Sequence, residues 1–465
     1  MKLYNTLSKK IETFEPLDAD NVRLFVCGPT VYDFSHIGHA KTYVQMDVLA
    51  RTLQRQFGTL TYVQNITDID DKIITRAAES DKDWQDVRSQ FEAEYLKDMS
   101  SLNNTSVTHY ARATDYIDTI ISQVTRLIDG GHAYTIEGDG VYFEIATFKD
   151  YGKLSGRTDV QKDDAQTRID YSDNKRGWND FCVWKFSKPG EPVWDAPFGP
   201  GRPGWHIEDT AISEHFFGPQ YDVHGGAVDL IFPHHEAEIT QMESISGLTP
   251  FVGYWVHAGF LTIEGEKMSK SVGNFHTIRD VIEHGYDPMA IRMLMLQAHY
   301  RAPMNFTFEN LDAAQNRLNN WRNVAALRHQ THDTLRDDDE KSTDDRSVSL
   351  YATAQALSVA LQHDIDTPSA LAIIDDAFNR LQSVQLDDIH QHALVQLLHD
   401  IDEALGIDLI ASTPDIDDDT KRMIIERVQV RERQDWAASD RLRDELLKKG
   451  IAIRDTSHGA IWQYA

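Results

Sequence analysis

The chain has 465 residues, 41% of them hydrophobic, enough for several cores and about three domains. No run of about 18 apolar residues occurs, which argues against a membrane-spanning helix, and two cysteines cannot build a disulfide framework. A formal charge of -28 speaks against nucleic acid as a partner, since phosphate contacts need Lys and Arg, although it leaves room for a local basic face. The opening stretch MKLYNTLSKKIETF has no apolar leader, so the expectation is a cytoplasmic protein.

In chain order, VRLFVCG (22–28) and LTYVQNI (60–66) read as buried strands, with HAKTYVQMDVLARTLQRQF between them as an amphipathic helix. That is a βαβ unit. A helical, polar stretch is expected from about 81 to 127, followed by strand-like GVYFEIA and FCVWKF; Cys182 in the latter reads as a small core residue. SKPGEPVWDAPFGPGRPGW, dense in Pro and Gly, reads as an irregular crossing, after which YDVHGGAVDLIF resumes strand–turn patterning. The return implies that the middle is inserted into one α/β domain. From about 318 to 409 the pattern is helical, broken by LRDDDEKSTDDRS (335–347), which reads as a solvated loop. The end reads as a helix, Gly450 as its C-cap, and short strands.

Two places carry chemistry. In VCGPTVYDFSHIGHAK, His36 and His39 fall after a strand–turn, one helical turn apart on one face. A helix N-terminus favours anions, Gly38 lets a nucleotide approach, and imidazoles there can donate to phosphate oxygens. Taken alone, the pair reads as two ordinary surface histidines. In EGEKMSKSVGN, Lys267 and Lys270 sit in a polar, Gly-flanked loop, where ammonium groups on flexible stems can follow a departing pyrophosphate.

HIGH and KMSKS, in this order and about 230 residues apart, are the paired signatures of class I aminoacyl-tRNA synthetases. With CGPTVYDFSHIGHA, NITDIDDKII, GRPGWHIE, DLIFPHHEAEI, GEKMSKSVGNF and DWAASDRLRDELLKKGI, the chain resembles the cysteinyl-tRNA synthetase family over nearly its whole length. The resemblance implies an α/β, Rossmann-like catalytic domain (1–80 and 201–265) split by a connective insertion (81–200). It further implies a KMSKS and stem-contact region (266–317), a helical bundle (318–414) and a small anticodon-binding domain (415–465).

It also implies roles. Cys27, Asp209, His234 and Glu238 match the positions of four zinc ligands. Asp209 stands where the family's commoner pattern has cysteine; carboxylate is an acceptable ligand and leaves the formal charge unchanged. Water in place of Asp209, or another divalent metal, stays open. A metal–thiolate bond would select cysteine where a small apolar pocket discriminates by only about 1–3 kcal/mol. Thr67 (with Asp68), Trp205 and His206 would flank the amino acid. Gly225, Gly226 and Asp229 would meet the nucleotide, Ala227 standing where a third glycine is frequent. His36, His39, Lys267 and Lys270 would stabilise charge on Mg-ATP. Trp436, Arg441, Arg443, Asp455 and Trp462 would read tRNA(Cys). His235 and His257 read equally well as core or surface histidines. Two other functions fit part of the pattern: a ligase joining cysteine to an amino sugar, which needs no anticodon-binding end, and a non-catalytic tRNA-binding relative, which needs no intact signatures.

Overall fold

The buried apolar runs assemble into five parallel strands. In the computed structural model, which describes residues 1–157, 172–268, 273–330, 345–383, 389–456 and 459–465, these are β1 (Val22–Val26), β2 (Leu60–Ile66), β3 (His109–Arg112), β4 (Tyr221–Ala227) and β5 (Val252–Ala258). Their order across the sheet is β5-β4-β1-β2-β3. Helices α1 (Ile37–Phe57), α2 (Trp205–Phe217) and α3 (Glu236–Ser246) connect or cover them. Both faces of β1 and β2 are almost wholly buried, which is why these runs are largely apolar instead of alternating. Phe25, Val63, Ala111, Ile212, Ile239 and Trp255 share one core.

The chain leaves β1 toward β2 and β3, then returns on the other side of β1 at β4. The strand order therefore reverses between β1 and β4, and open α/β sheets bind ligands outside the strand ends at such a point. Cys27 follows β1 directly, and its N–H donates to the Gly225 carbonyl at 3.0 Å.

β3 lies within the stretch expected to be helical. HYAR has no strand pattern of its own; it is extended because the open edge of β2 pairs with it, Asn65 opposite Ala111. Between β3 and α2 stands a four-stranded antiparallel sheet: Ala133–Ile136, Gly140–Phe143, Phe181–Phe186 and Gly201–Pro203. Val141, Phe143, Val183 and Trp184 pack there with Ile120, Val124 and Leu127 in a separate core. Cys182 is buried beside Tyr134, Ile136 and Tyr142.

The chain forms two compact units, Met1–Glu283 with Tyr300–Asn305, and His284–His299 with Phe306–Ala465. The second unit contains the helices Phe308–Ala325, Asp345–Gln362, Thr367–Ser383 and Gln391–Leu405. Then come Asp418–Glu432, Trp436–Lys448 and a hairpin of Ile451–Thr456 with Gly459–Tyr464. Gly450, at φ +79°, turns the chain from helix to hairpin, a conformation that glycine adopts without strain. Most of the acidic run 335–347 lies outside the described residues. Among the described residues no helix is long and apolar enough to cross a membrane.

One ion pair ties this end together. The Arg427 guanidinium, 2% exposed, holds Asp455 through two bonds of 2.8 and 2.9 Å. The pairing holds the Asp455 carboxyl below its ordinary value of 3.8. Arg427→Leu should destabilise this region by about 1–3 kcal/mol, below the full cost of breaking a buried pair because Asp455 is partly exposed. Hydrogen exchange in the hairpin checks it. A depressed carboxyl pKa stabilises above the unfolded value and loses that contribution as pH falls through the folded one. The gap between wild type and variant should therefore close below about pH 4, and a gap that persists there would assign the effect to packing.

Candidate active site and metal centre

At the reversal point lies a cavity of about 1160 Å³. It is lined from both halves of the sheet by Cys27, His36, His39, Thr67, Trp205, Glu208, Asp209, Asp229, His234 and Lys267, among others.

His36 is the N-cap of α1, and its Nδ1 accepts the His39 N–H at 3.2 Å. An imidazole whose Nδ1 accepts carries its proton on Nε2 when neutral, so the His36 N–H is on Nε2. The two rings stack, centroids 3.7 Å apart and 18° from parallel. Burial holds the His39 pKa well below the ordinary 6.5, with His36 and Lys72 adding to it. A Cβ at Gly38 would come within 2.9 Å of His36 Nδ1, so only glycine leaves this ring where it is.

Lys267 comes off a two-residue hairpin. Glu264 (φ +51°) and Gly265 (φ +80°) form its tip, and Lys267 faces Thr262. Further on, Ile37 N–H donates to the His276 carbonyl and Ile278 N–H to Ser35, stitching this segment to the start of α1. Lys270 lies outside the described residues.

Lys41 is buried on α1, its Nζ donating to the carbonyls of Gly259 (2.6 Å) and Tyr300 (3.2 Å). Burial lowers its pKa from 10.5 to about 8. Between those values the unfolded chain holds more protons, so stability should rise with pH across that window. Urea titrations from pH 7.5 to 10 should show wild type gaining on Lys41→Met; parallel curves would mean that the amine is already relaxed.

The second cluster is built around sulfur. Cys27 Sγ lies 3.0 Å from Asp209 Oδ2, 3.2 Å from His224 Nε2, 3.1 Å from His235 Nε2 and 3.9 Å from Glu238 Oε1. His234 Nε2 lies 3.0 Å from both Asp209 Oδ2 and Glu238 Oε1. All six residues are buried. Cys27, His234, His235 and Glu238 each offer a ligand atom within 4.8 Å of the others. Neighbours orient them: Asn65 donates to Asp209 Oδ1 at 2.6 Å, Tyr221 OH meets His224 Nδ1 at 2.6 Å, and His257 Nε2 meets His235 Nδ1 at 2.8 Å. Supported ligands of this kind are how proteins hold metals.

The electrostatics fit a cation. Burial, then Asp209 and Glu238, push the Cys27 thiol up. Burial and Asp209 raise Glu238, and burial keeps His224 and His235 neutral. A thiol and two carboxylates facing one another in a dry interior repel when ionised, and a divalent ion reverses that. The residues present therefore fit a metal. His235, which sequence reasoning left ambiguous, stands in that four-residue group where Asp209 was expected, while Asp209 meets the same sulfur and His234; His224 was missed, since a lone histidine in a buried strand carries no signal.

The remaining candidates divide. Trp205 lines the cavity and stacks on His234, centroids 4.3 Å apart, and His206 Nδ1 lies 2.8 Å from His234 Nδ1. Thr67 and Asp229 line the cavity, but Gly225 and Gly226 do not. A Cβ on Gly225 would strike Met46, and one on Gly226 would strike His235, so packing beneath the cavity demands those glycines. Asp68 is engaged by Arg88 and by the Thr114 N–H and hydroxyl, which makes it a support. Trp436, Arg441 and Arg443 are exposed on one helix. Asp455 is held by Arg427, and Trp462 is fully buried with its indole N–H on the His329 carbonyl.

Residues 13–316 match the family model for the tRNA synthetases class I (C) catalytic domain, and residues 413–462 that for the cysteinyl-tRNA ligase anticodon binding domain. The chain belongs to the cysteinyl-tRNA ligase family. Cysteine–tRNA ligases of Heliobacterium modesticaldum and Thermoplasma acidophilum are each 40% identical to it, covering 100% and 99% of this chain and 100% of their own. A Mycobacterium tuberculosis methionyl-tRNA synthetase in complex with methionyl-adenylate shares the fold at 16% identity (TM-score 0.58, 85% of this chain and 91% of that one). So does an Agrobacterium radiobacter K84 LeuRS–tRNA–LeuAMS complex at 10% identity (TM-score 0.62, 87% and 86%). For a cysteinyl-tRNA ligase, the anticodon-binding match removes the ground for the amino-sugar reading.

Proposed function

We propose that this chain activates L-cysteine with Mg-ATP to cysteinyl-adenylate and passes the cysteinyl group to tRNA(Cys) in the cytoplasm. The observation that carries this reading is the meeting, in one cavity, of a stacked histidine pair at a helix start with a buried thiol–carboxylate–imidazole cluster. Cys27, Asp209, His234 and Glu238 would hold zinc, with His235 Nε2 at hand. Bound there, zinc supplies a Lewis-acid partner for the substrate thiolate that serine, alanine and valine cannot match.

The chain's own groups do the rest. The substrate carboxylate attacks the α-phosphorus, and pyrophosphate leaves. His36, through its Nε2–H, and neutral His39 donate to phosphate oxygens as charge builds, while Lys267 and Lys270 follow the leaving group. Trp205, stacked on His234, closes the amino-acid side from water. The terminal 2′-hydroxyl of the tRNA then attacks the activated carbonyl and AMP leaves. In the C-terminal unit Trp436, Arg441 and Arg443 would meet unpaired bases and phosphates. Although the whole chain is at -28, residues 415–465 carry ten Lys and Arg against eleven Asp and Glu, so this region is nearly neutral.

ATP–pyrophosphate exchange with cysteine, serine, alanine and valine, with metal content on the same sample, tests the reading. Exchange should depend on cysteine and track metal occupancy. Exchange driven equally by serine would defeat it.

A further inference from the structure

Glu208 is a cavity residue with no role in the reading so far, which rests on the histidine pair, the two lysines and the metal cluster. It stands in the first turn of α2, one residue before Asp209, is 1% exposed, and lines the cavity. Its Oε2 has no hydrogen-bond partner, and no Lys or Arg pairs with it among the described residues. Its other tie is a side-chain hydrogen bond with Thr67, whose hydroxyl accepts from Asn65 Nδ2 at 3.3 Å. The same Asn65 amide holds Asp209. Glu208 is thus fixed relative to the thiol-binding cluster by a short chain of polar contacts. A buried acceptor left without a donor is costly unless something that enters the cavity satisfies it.

The substrate brings such a donor. In cysteine the ammonium is two carbons from the sulfur. With the sulfur at the Cys27–Asp209 cluster and the carboxylate turned toward ATP at His36 and His39, the ammonium must lie to one side of that line. A buried carboxylate oxygen without a partner, Oε2 of Glu208, lines the same cavity next to Asp209 in the chain. The positive end of α2 also suits a carboxylate in its first turn.

We propose that Glu208 binds the α-ammonium of the substrate, so that the site holds cysteine at sulfur and nitrogen and leaves the carboxylate free to react. The inference rests on cysteine being activated in this cavity. It makes Glu208 a substrate-binding residue that selects for an unmodified amine.

The test uses the metal-loaded full chain and Glu208→Gln, with three ligands titrated calorimetrically. L-cysteine has thiol, ammonium and carboxylate; cysteamine lacks the carboxylate; 3-mercaptopropionate lacks the amine. Glu208→Gln should weaken cysteine and cysteamine by roughly 10–100-fold, the scale of one charge-assisted hydrogen bond. It should leave 3-mercaptopropionate within about twofold, because that ligand never used the carboxylate, and metal content should not change. Equal loss for all three ligands, or loss for none, overturns the proposal. Should the variant not fold, wild type alone decides: cysteamine must bind more tightly than 3-mercaptopropionate, and the reverse order overturns it. If wild type binds no thiol and shows no cysteine-dependent exchange, the function itself has failed, a different result from any above.

Discussion

Cys27→Ala should come off purification largely without metal, and its kcat/KM for cysteine in pyrophosphate exchange should fall further than the roughly 10–100-fold expected from losing a ligand's supporting contact. The reason is that Sγ is the hub of the cluster: Asp209, His224 and His235 all lie within 3.2 Å of it. Removing it also leaves no thiolate to stabilise a soft, tetrahedral site. Asp209→Ala should do less. Its Oδ2 meets Cys27 and His234, yet His235 Nε2 sits 3.1 Å from the same sulfur and can complete a four-donor set. Partial metal content and weakened cysteine binding are expected, and Asp209→Cys should restore both. Metal analysis with cysteine titrations on the three variants decides. A Cys27→Ala protein that retains full metal would remove the sulfur from the site.

His36→Ala and His39→Ala should each lower adenylate formation by about 10²–10³-fold, the scale for one preorganised donor at a developing charge. Cysteine affinity should scarcely move, since the substrate sulfur is assigned to the Cys27 cluster and not to these rings. Gly38→Ala offers a sharper check. Its new methyl would press on His36 Nδ1 and Cε1, so a single added carbon should cost nearly as much as deleting the ring. Because burial keeps His39 neutral, the exchange rate should show no step near pH 6.5 from this residue. Equilibrium dialysis with cysteine beside exchange kinetics separates the two effects. A variant that loses cysteine affinity at unaltered turnover would move the pair out of its assigned role.

The net charge was the misleading signal. Charge summed over a chain says little about a surface a few residues wide, and the C-terminal 51 residues are nearly balanced in sign. The strand His109–Arg112 was invisible for a related reason: four residues without alternation become a strand when a neighbouring edge offers its hydrogen bonds. The buried state of Trp462 and the capture of Asp455 by Arg427 also escaped, since a Trp in a short strand reads alike as core or as base-stacking platform.

By itself the sequence determined whatever depends on residues near one another in the chain. His36, Gly38 and His39 form cap, gap and donor within one turn because their spacing suits a helix start. Glu264–Gly265 makes the tight hairpin that presents Lys267, and the apolar runs at 22–26 and 60–66 become buried parallel strands. Tertiary structure alone decided what depends on burial and on distant partners. Cys27 meets Asp209 and His235 from 182 and 208 residues away because the chain crosses back over β1. That crossing also decided which carboxylates were spent and which stayed free. Asp68 was consumed by Arg88 and Thr114, whereas Glu208 was left with an open oxygen in the cavity. A carboxylate's partners are set by the elements packed around it, and those are chosen by the order of strands in the sheet.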